Sequence, residues 1–385
     1  MDYTGGFVLP LAIGFGTAVV GTGSIVPAAE GTVTVVSGDA GGGGCFTAEL
    51  VNAGDVKPAT DESDGWTNYV IGVILEYMSD LPPTLSFSLS LAVAGDVPLG
   101  AGLSSSASLE VAVGRFMEEV FKSSPQSSQL YSSAEAAHAV SVARAVRCQR
   151  AENAFCGAPC GIMDQFISSA GVKDSLLLID CLARTFSPAA FDGEAVALIV
   201  ANSNVTHSIG GGEYPKRVAQ CARATEVVAV GSGVATLRHS TLQNLEAKKT
   251  DLDDTTYRRA LHVITENART LATAEALEAG DYATVGQHMS ASHSSLDKNF
   301  EVSCPELNAL QQISLSYPGP GVYGSRMTGG GFGGCVITLV EKGTEDAVME
   351  HIREEYRKVG GVDCRPFASV ACGGAVGGRA GGVME

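Results

Sequence analysis

The stretch PLGAGLSSSAS, Pro98 to Ser108, decides how the chain is read. Before it runs LSFSLSLAVAGDVP, in which apolar residues alternate with serine as in a half-buried strand. After it, apolar residues recur at Leu109, Ala112, Val113, Phe116 and Val120, the spacing of an amphipathic helix. The segment is therefore a glycine-rich link from a strand into a helix that opens on three serines. Glycines let a backbone approach a ligand closely. The unpaired N–H groups and positive dipole end of a helix start then form a cradle for phosphate. Serine hydroxyls can add oxygen ligands for a metal ion. A helix cap alone also calls for serine, but it uses one, and here three follow Gly-x-Gly. No GKS or GKT occurs, so this is not the Walker loop, and neither HRD nor DFG is present.

The rest of the composition narrows the partners. At 385 residues the chain has room for about two domains. With 45% hydrophobic and 17% charged residues it has the balance of a protein with a sizeable core. The formal charge of −17 argues against nucleic acid, whose backbone calls for a basic face. An anionic ligand held by backbone N–H groups and a metal ion stays compatible with that charge. The opening MDYTGGFVLP lacks the cationic start of a signal peptide, the first basic residue being Lys57, and the apolar run after it is short for a membrane span. Ten cysteines without a CxxC pair read as reduced thiols in a cytoplasmic protein, with a metal site as the competing reading.

Along the chain, GTVTVVSGD and GGGGCFTAEL read as strands with tight turns, the glycine run Gly41 to Gly44 as a loop. A helix starts near Trp66 with Val70, Val73, Ile74 and Met78 inward. A second long helix is predicted over SSAEAAHAVSVARAVRCQRAENAF, with Ser132 and Glu135 at capping-box spacing. SLLLID, AVALIVAN and CVITLV read as strands. YRRALHVITENARTLATAEALEAG reads as a helix with Leu261, Ile264, Ala268 and Leu271 on its buried face, ending at Gly280. The glycine-rich tail is expected to fray.

Two further stretches carry chemistry. AENAFCGAPCGIMDQFIS places Glu152 near a helix end and Asp164 among Ile162, Met163 and Phe166. A carboxylate in apolar company is paired or functional, a helix cap or an ion pair being the plain alternative. RMTGGGFGGCVITLV satisfies G-x-G-x-x-G through Gly329, Gly331 and Gly334. It precedes a strand, whereas the dinucleotide fingerprint follows one, so a tight bulged turn accounts for it equally well.

GLSSSA, GIMDQ and RMTGGGFGG, in that order, resemble the three motifs of the GHMP small-molecule kinases. Within them PLGAGLSSSASLEVA, CGIMDQFIS, LLLIDC, NSNVTHS, EYPKR and SCPEL look like galactokinase segments, and the resemblance runs over nearly the whole chain. It implies an α+β fold of two domains, an S5-like N-terminal domain (1–190) and a ferredoxin-like C-terminal domain (191–385), with the active site between them. It implies phosphoryl transfer from MgATP to the anomeric hydroxyl of α-D-galactose. Gly100, Gly102, Ser104 and Ser105 would hold the ATP phosphates; Ala101 stands where relatives often have glycine. Ser105 and Glu152 would hold Mg²⁺, and Asp164 would take or orient the sugar proton. Asp2, Gly161, Asp164 and Tyr214 would bind the sugar, and Gly329, Gly330 and Gly331 would brace the phosphate loop. The expected partners are galactose and ATP, with neither nucleic acid nor membrane, and the expected state is a monomer.

The resemblance also bears on the opening residues. DYTGGFVLP matches the downstream half of the family's Arg-x-Asn-x-Ile-Gly-Glu-His-Thr signature, whose Arg, Glu and His have no counterpart here. The expectation is a shortened chain of impaired activity. A sugar-and-ATP-binding regulator without turnover, and a kinase for N-acetylgalactosamine, arabinose or mevalonate, are the rival readings.

Overall fold

The structure, a computed structural model, describes residues 1–38, 44–61, 63–123, 134–206, 213–229, 236–360 and 363–377; of residues 134–136, 206, 214 and 360 it describes the backbone alone. In chain order its main elements are β1 (Phe7–Val8), β2 (Thr17–Pro27), β3 (Thr32–Ser37), β4 (Cys45–Glu49), α1 (Thr67–Met78), β5 (Leu85–Gly95), α2 (Ser105–Lys122), α3 (Ala134–Arg150), α4 (Met163–Ala170), β6 (Ser175–Asp180), β7 (Thr185–Ala190), β8 (Val196–Thr206), α5 (Glu213–Ala229), α6 (Leu242–Glu246), α7 (Asp254–Glu278), α8 (Tyr282–Ser295), α9 (Pro305–Leu315), β9 (Val322–Met327), β10 (Gly333–Glu341), α10 (Glu345–Gly360) and β11 (Phe367–Ser369). They form two compact units with interleaved segments. The larger holds 1–14, 98–103 and 172–372; the smaller holds 15–97, 104–171 and 373–385. The expected capping box at Ser132 and Glu135, most of the Gly41–Gly44 run and the end of the tail lie outside the described residues.

In the smaller unit a four-stranded sheet has the order β2-β5-β3-β4, with β3 and β5 parallel and the other pairs antiparallel. Alternation does what period-2 patterning dictates: Val33, Val35, Phe87, Leu89 and Leu91 are buried against the helices. Helix α1 buries Val70, Val73, Ile74 and Met78, as their spacing predicts. Helix α2 is rotated from its predicted face. Val113 and Val120 are buried, but Leu109, Ala112 and Phe116 are only half-buried, and the inward stripe runs Ala107, Glu110 and Val111, Gly114, Met117 and Glu118, Phe121. Two carboxylates thus sit on the buried face, which a count of apolar residues overlooks. Glu118 is satisfied there by Arg144 in two parallel bonds, Nε to Oε1 at 2.7 Å and Nη2 to Oε2 at 2.9 Å, and by the Tyr77 hydroxyl at 3.2 Å.

In the larger unit, β11-β8-β10-β9 form an antiparallel sheet and β1-β6-β7 a second, smaller one. Ile199 and Ala201 on β8 pack with Val263 of α7, Leu307 and Leu310 of α9 and Ile352 of α10. Helix α7 also departs from its predicted face. Of Leu261, Ile264, Ala268 and Leu271 only Ile264 is buried, while Arg259, Glu266 and Asn267 are buried among Ala260 and Val263. Each buried polar group has partners: Arg259 bonds to the Asn299 carbonyl and Glu301, Glu266 to Ser292 and Arg269, and Asn267 accepts the Phe7 N–H at 2.8 Å. Those partners let polar side chains displace apolar ones from the interior. No helix among the described residues is long and apolar enough to cross a membrane.

Helix α8 lies with its backbone against β9. A Cβ added at Gly286 would fall inside the carbonyl of Tyr323, and one added at Gly324 inside the backbone of Gly286. On helix propensity alone, Gly286→Ala would stabilise α8 by up to ~1 kcal/mol. The clash predicts the opposite sign: Gly286→Ala and Gly324→Ala each lower stability by about 2–4 kcal/mol, read from urea unfolding midpoints.

Candidate active site

In the smaller unit the chemistry gathers around the start of α2. Ser104 precedes the helix in the left-handed region (φ 62), a conformation that costs a non-glycine residue about 1 kcal/mol or more. Its carbonyl accepts the Ser108 N–H at 3.0 Å, but its hydroxyl makes no capping bond. The cap reading of the serines is therefore not realised at Ser104, and the first-turn N–H groups are left without a side-chain cap. Ser105 and Ser106 are the first two residues of α2, and the Ser106 hydroxyl hydrogen-bonds to Glu152.

Glu152 sits in a π turn, Ala151–Phe155, that follows directly on α3. Gln165 of α4 ties it to a third acid position. The Gln165 Nε2 donates to Glu152 Oε2 at 2.6 Å and to Glu110 Oε2 at 3.1 Å, inside a buried cluster. Burial pushes the Glu110 carboxyl well above the carboxylate range, the charge of Glu152 adds to this and Asp164 contributes further. Glu152 is raised too, mainly by burial, against bonds from Cys160, Ser106 and Gln165 that favour its charged form. The Cys160 thiol, itself pushed up by burial and by Glu152, stays protonated and can donate. Two buried oxygens of this cluster, Glu110 Oε1 and Gln165 Oε1, have no hydrogen-bond partner among the described residues.

Asp164 lies in the first turn of α4, where the helix dipole favours a carboxylate. Gly161 ends the link into α4. That link is pinned by Asn153, whose Oδ1 accepts the Cys160 N–H at 2.7 Å and whose Nδ2 donates to the Cys160 carbonyl at 3.3 Å. Asp2, in the larger unit, lies in a 3-10 turn (Asp2–Thr4) and accepts the Tyr3 N–H at 2.9 Å. Tyr214 is the second residue of α5, and the expectation for its ring lies outside the described residues.

The glycine link itself, Pro98–Leu103, belongs to the larger unit. Gly100 and Gly102 are left-handed (φ 68 and 70), and Ala101 between them, 1% exposed, is not. Alternation of this kind turns successive N–H groups toward one side, the geometry of an anion nest. Against this link packs the turn after β9. A Cβ at Gly329 would lie 2.9 Å from the Gly102 carbonyl oxygen, and one at Gly334 2.9 Å from that of Ala101. Gly330 and Gly331 complete the turn, which a bulge joins to β10.

The oxygen-rich, acid-lined cluster suits magnesium, a hard cation that takes oxygen ligands. Its unpartnered oxygens and paired carboxylates need positive charge or a proton. Among the described residues no group of three or more His, Cys, Asp or Glu forms a closed metal cage. Glu110, Gln165 and Ser106 were not legible as site residues from their motifs. The available signal was a glutamate at 110, spaced three, four and seven residues from the buried Ala107, Gly114 and Met117.

The family model for the GHMP kinases N terminal domain matches residues 68–172, and that for the GHMP kinases C terminal region matches 273–358. That is the class which the serine-bearing helix start and the glycine turn define. The galactokinase of Bos taurus is 41% identical over 355 residues, 92% of this chain and 83% of that protein. The galactokinase of Canis lupus familiaris is 43% identical over 358 residues, with the same coverage. The solved Lactococcus lactis galactokinase, complexed with galactose, superposes with a TM-score of 0.81 at 27% identity, over 97% of this chain and 90% of that one. The solved L. major mevalonate kinase, in complex with R-mevalonate, shares the fold at a TM-score of 0.58 and 18% identity, covering 97% of this chain and 93% of that one. The chain belongs to the galactokinase family.

The raised Glu110 carboxyl has a consequence for stability. Between the ordinary carboxylate value and about 9 the folded protein holds a proton that the unfolded chain has lost. The metal-free protein therefore loses stability as pH rises through that window. Melting temperature measured in chelator should fall from neutral to alkaline pH, more steeply for the wild type than for Glu110→Gln, and added Mg²⁺ should flatten the slope.

Proposed function

We infer that the protein transfers the γ-phosphoryl group of ATP to the C1 hydroxyl of α-D-galactose, giving galactose 1-phosphate and ADP. The observation that carries this reading is the identity of 41–43% to galactokinases across 92% of the chain, with all three motifs present. The sugar oxygen attacks the γ-phosphorus, the bond to the bridging oxygen breaks, and the hydroxyl proton passes to Asp164. The protein's part is positioning and charge neutralisation. Asp164 at the start of α4 orients the sugar hydroxyl and takes its proton. Gly100, Gly102, Ser104 and Ser105 hold the phosphates through N–H and hydroxyl groups. Glu152 and a serine hydroxyl of the α2 start, Ser105 or its neighbour Ser106, hold Mg²⁺, which when bound neutralises phosphate charge. Gln165 fixes the Glu152 carboxylate. Asp2, Gly161 and Tyr214 line the sugar, and Gly329, Gly330 and Gly331 support the phosphate loop.

In this reading residues 1–190 carry the phosphate loop and the base, and residues 191–385 carry the third glycine motif. We place the protein in the cytoplasm, where ten unpaired thiols persist, and propose that it acts as a monomer.

The test is galactose-dependent ADP release against a panel that includes N-acetylgalactosamine, arabinose and mevalonate. Preference for galactose is expected; turnover confined to another substrate would replace the reading. Asp164→Asn should lower kcat by about 10²-fold or more and leave ATP binding largely intact. Glu152→Gln should raise the Mg²⁺ concentration needed for half-maximal rate by about tenfold, with the galactose KM within twofold. An unchanged Mg²⁺ requirement would remove Glu152 from the metal.

A further inference from the structure

Strand β9 is the outer strand of its sheet, and Met327 is its last residue, fully buried. The Thr328 N–H donates to the Cys335 carbonyl on β10 at 2.9 Å. Along a strand successive N–H groups point to opposite sides, so the Met327 N–H points away from β10. A buried edge N–H needs an acceptor. It finds one in Nδ1 of His293, at 3.1 Å. His293 belongs to α8, which reaches β9 only because Gly286 and Gly324 meet without side chains.

The far side of the ring settles the tautomer. Asn308 Nδ2 donates to Asp297 Oδ1 at 2.9 Å, so Asn308 Oδ1 is the oxygen turned toward His293. That oxygen accepts from the Ser303 hydroxyl at 2.6 Å and stands 3.1 Å from His293 Nε2. Nε2 must therefore carry the proton, and Nδ1 is the lone-pair nitrogen that Met327 requires. Ser303 and Asn308 come from the segment VSCPELN, which the chemistry of transfer leaves unused. The charged groups that face the ring are Asp297, in the π turn after α8, and Arg326 on β9. Burial holds the imidazole below its ordinary value, opposed by Asn308 and Asp297 and aided by Arg326. The ring is neutral at physiological pH, and the acceptor is lost only as pH falls.

Two residues beyond Met327, Gly329 rests on Gly102, and Gly334 rests on Ala101. The backbone that His293 holds is the root of the turn that contacts the glycine link. We propose that His293 is a positioning residue: by accepting the Met327 N–H it fixes the Thr328–Gly331 turn against the Pro98–Leu103 loop, and so sets nucleotide affinity without touching nucleotide or sugar. The proposal rests on the reading of that loop as the phosphate loop.

Two variants separate acceptor from bulk. His293→Phe keeps a ring and removes the acceptor. His293→Asn keeps an acceptor oxygen near the Nδ1 position and cannot be protonated in this range. The readouts are amide exchange of the peptide containing Met327, calorimetric affinity for Mg·ADP, and KM for ATP and for galactose across pH. His293→Phe should speed exchange about tenfold, weaken Mg·ADP and raise the ATP KM about fivefold, with the galactose KM within twofold. His293→Asn should lie near wild type at neutral pH. It should lack the rise in ATP KM that wild type shows as pH falls.

Unchanged Mg·ADP affinity in His293→Phe, with or without faster exchange, overturns the proposal, as does an equal rise in both KM values. Should His293→Phe not fold, the Asn variant decides: an acid-side rise in ATP KM equal to that of wild type overturns it. A wild-type protein that binds Mg·ADP but phosphorylates no galactose would instead sink the proposed reaction, and the exchange and calorimetry arms would still judge His293.

Discussion

Backbone against backbone, with no side chain between, is the constraint on which the larger unit depends. Helix α8 sits on β9 because Gly286 meets Gly324. The turn after β9 sits on the glycine link because Gly329 meets Gly102 and Gly334 meets Ala101. Each approach requires a missing Cβ: at Gly286 and Gly324 on both sides of the joint, at Gly329 and Gly334 on the side of the turn, where a Cβ would run into the backbone of the glycine link. The order is also geometrical. With α8 seated, His293 reaches the edge of β9; with the edge held, the turn is held. Polar groups complete the joint at little cost because each has a partner: the edge N–H to the imidazole, the imidazole to the Asn308 amide, and the amide to Asp297.

The smaller unit solves a different problem, that of keeping acids inside a protein. Glu118 is neutralised by Arg144 and capped by Tyr77, so it behaves as structure. Glu110 and Glu152 have no such cation beside them among the described residues. They share one amide donor, Gln165, and their carboxyls are shifted upward by burial. The same helix thus carries a satisfied acid at 118 and an unsatisfied one at 110, two turns apart. A buried pair of carboxyls of that kind is where added positive charge does most, since a cation relieves both repulsion and desolvation. This is the physical basis for reading the cluster as the metal-binding side of a phosphoryl-transfer enzyme, and for treating Glu118 and Arg144 as scaffold.

Much of this protein could be read from its residues in order. The strand, glycine link, serine-bearing helix start and later glycine turn are local patterns, set by side-chain period, by glycine's missing Cβ and by the capping habits of serine. The resemblance those motifs carry led directly to the family. Helix α1 and strands β5, β6, β8 and β10 follow from periodicity because their buried faces are mostly apolar. The inward faces of α2 and α7 did not follow, because Glu110, Glu118, Arg259, Glu266 and Asn267 occupy them. A polar residue is buried only when a partner distant in sequence satisfies it, and hydropathy along one helix contains no term for that partner. Gln165 between two carboxylates, Ser106 on Glu152, and the link from Asp297 to Met327 through Asn308 and His293 are likewise products of tertiary structure. Each joins residues from separate elements, and each depends on distances that only the packed backbone decides.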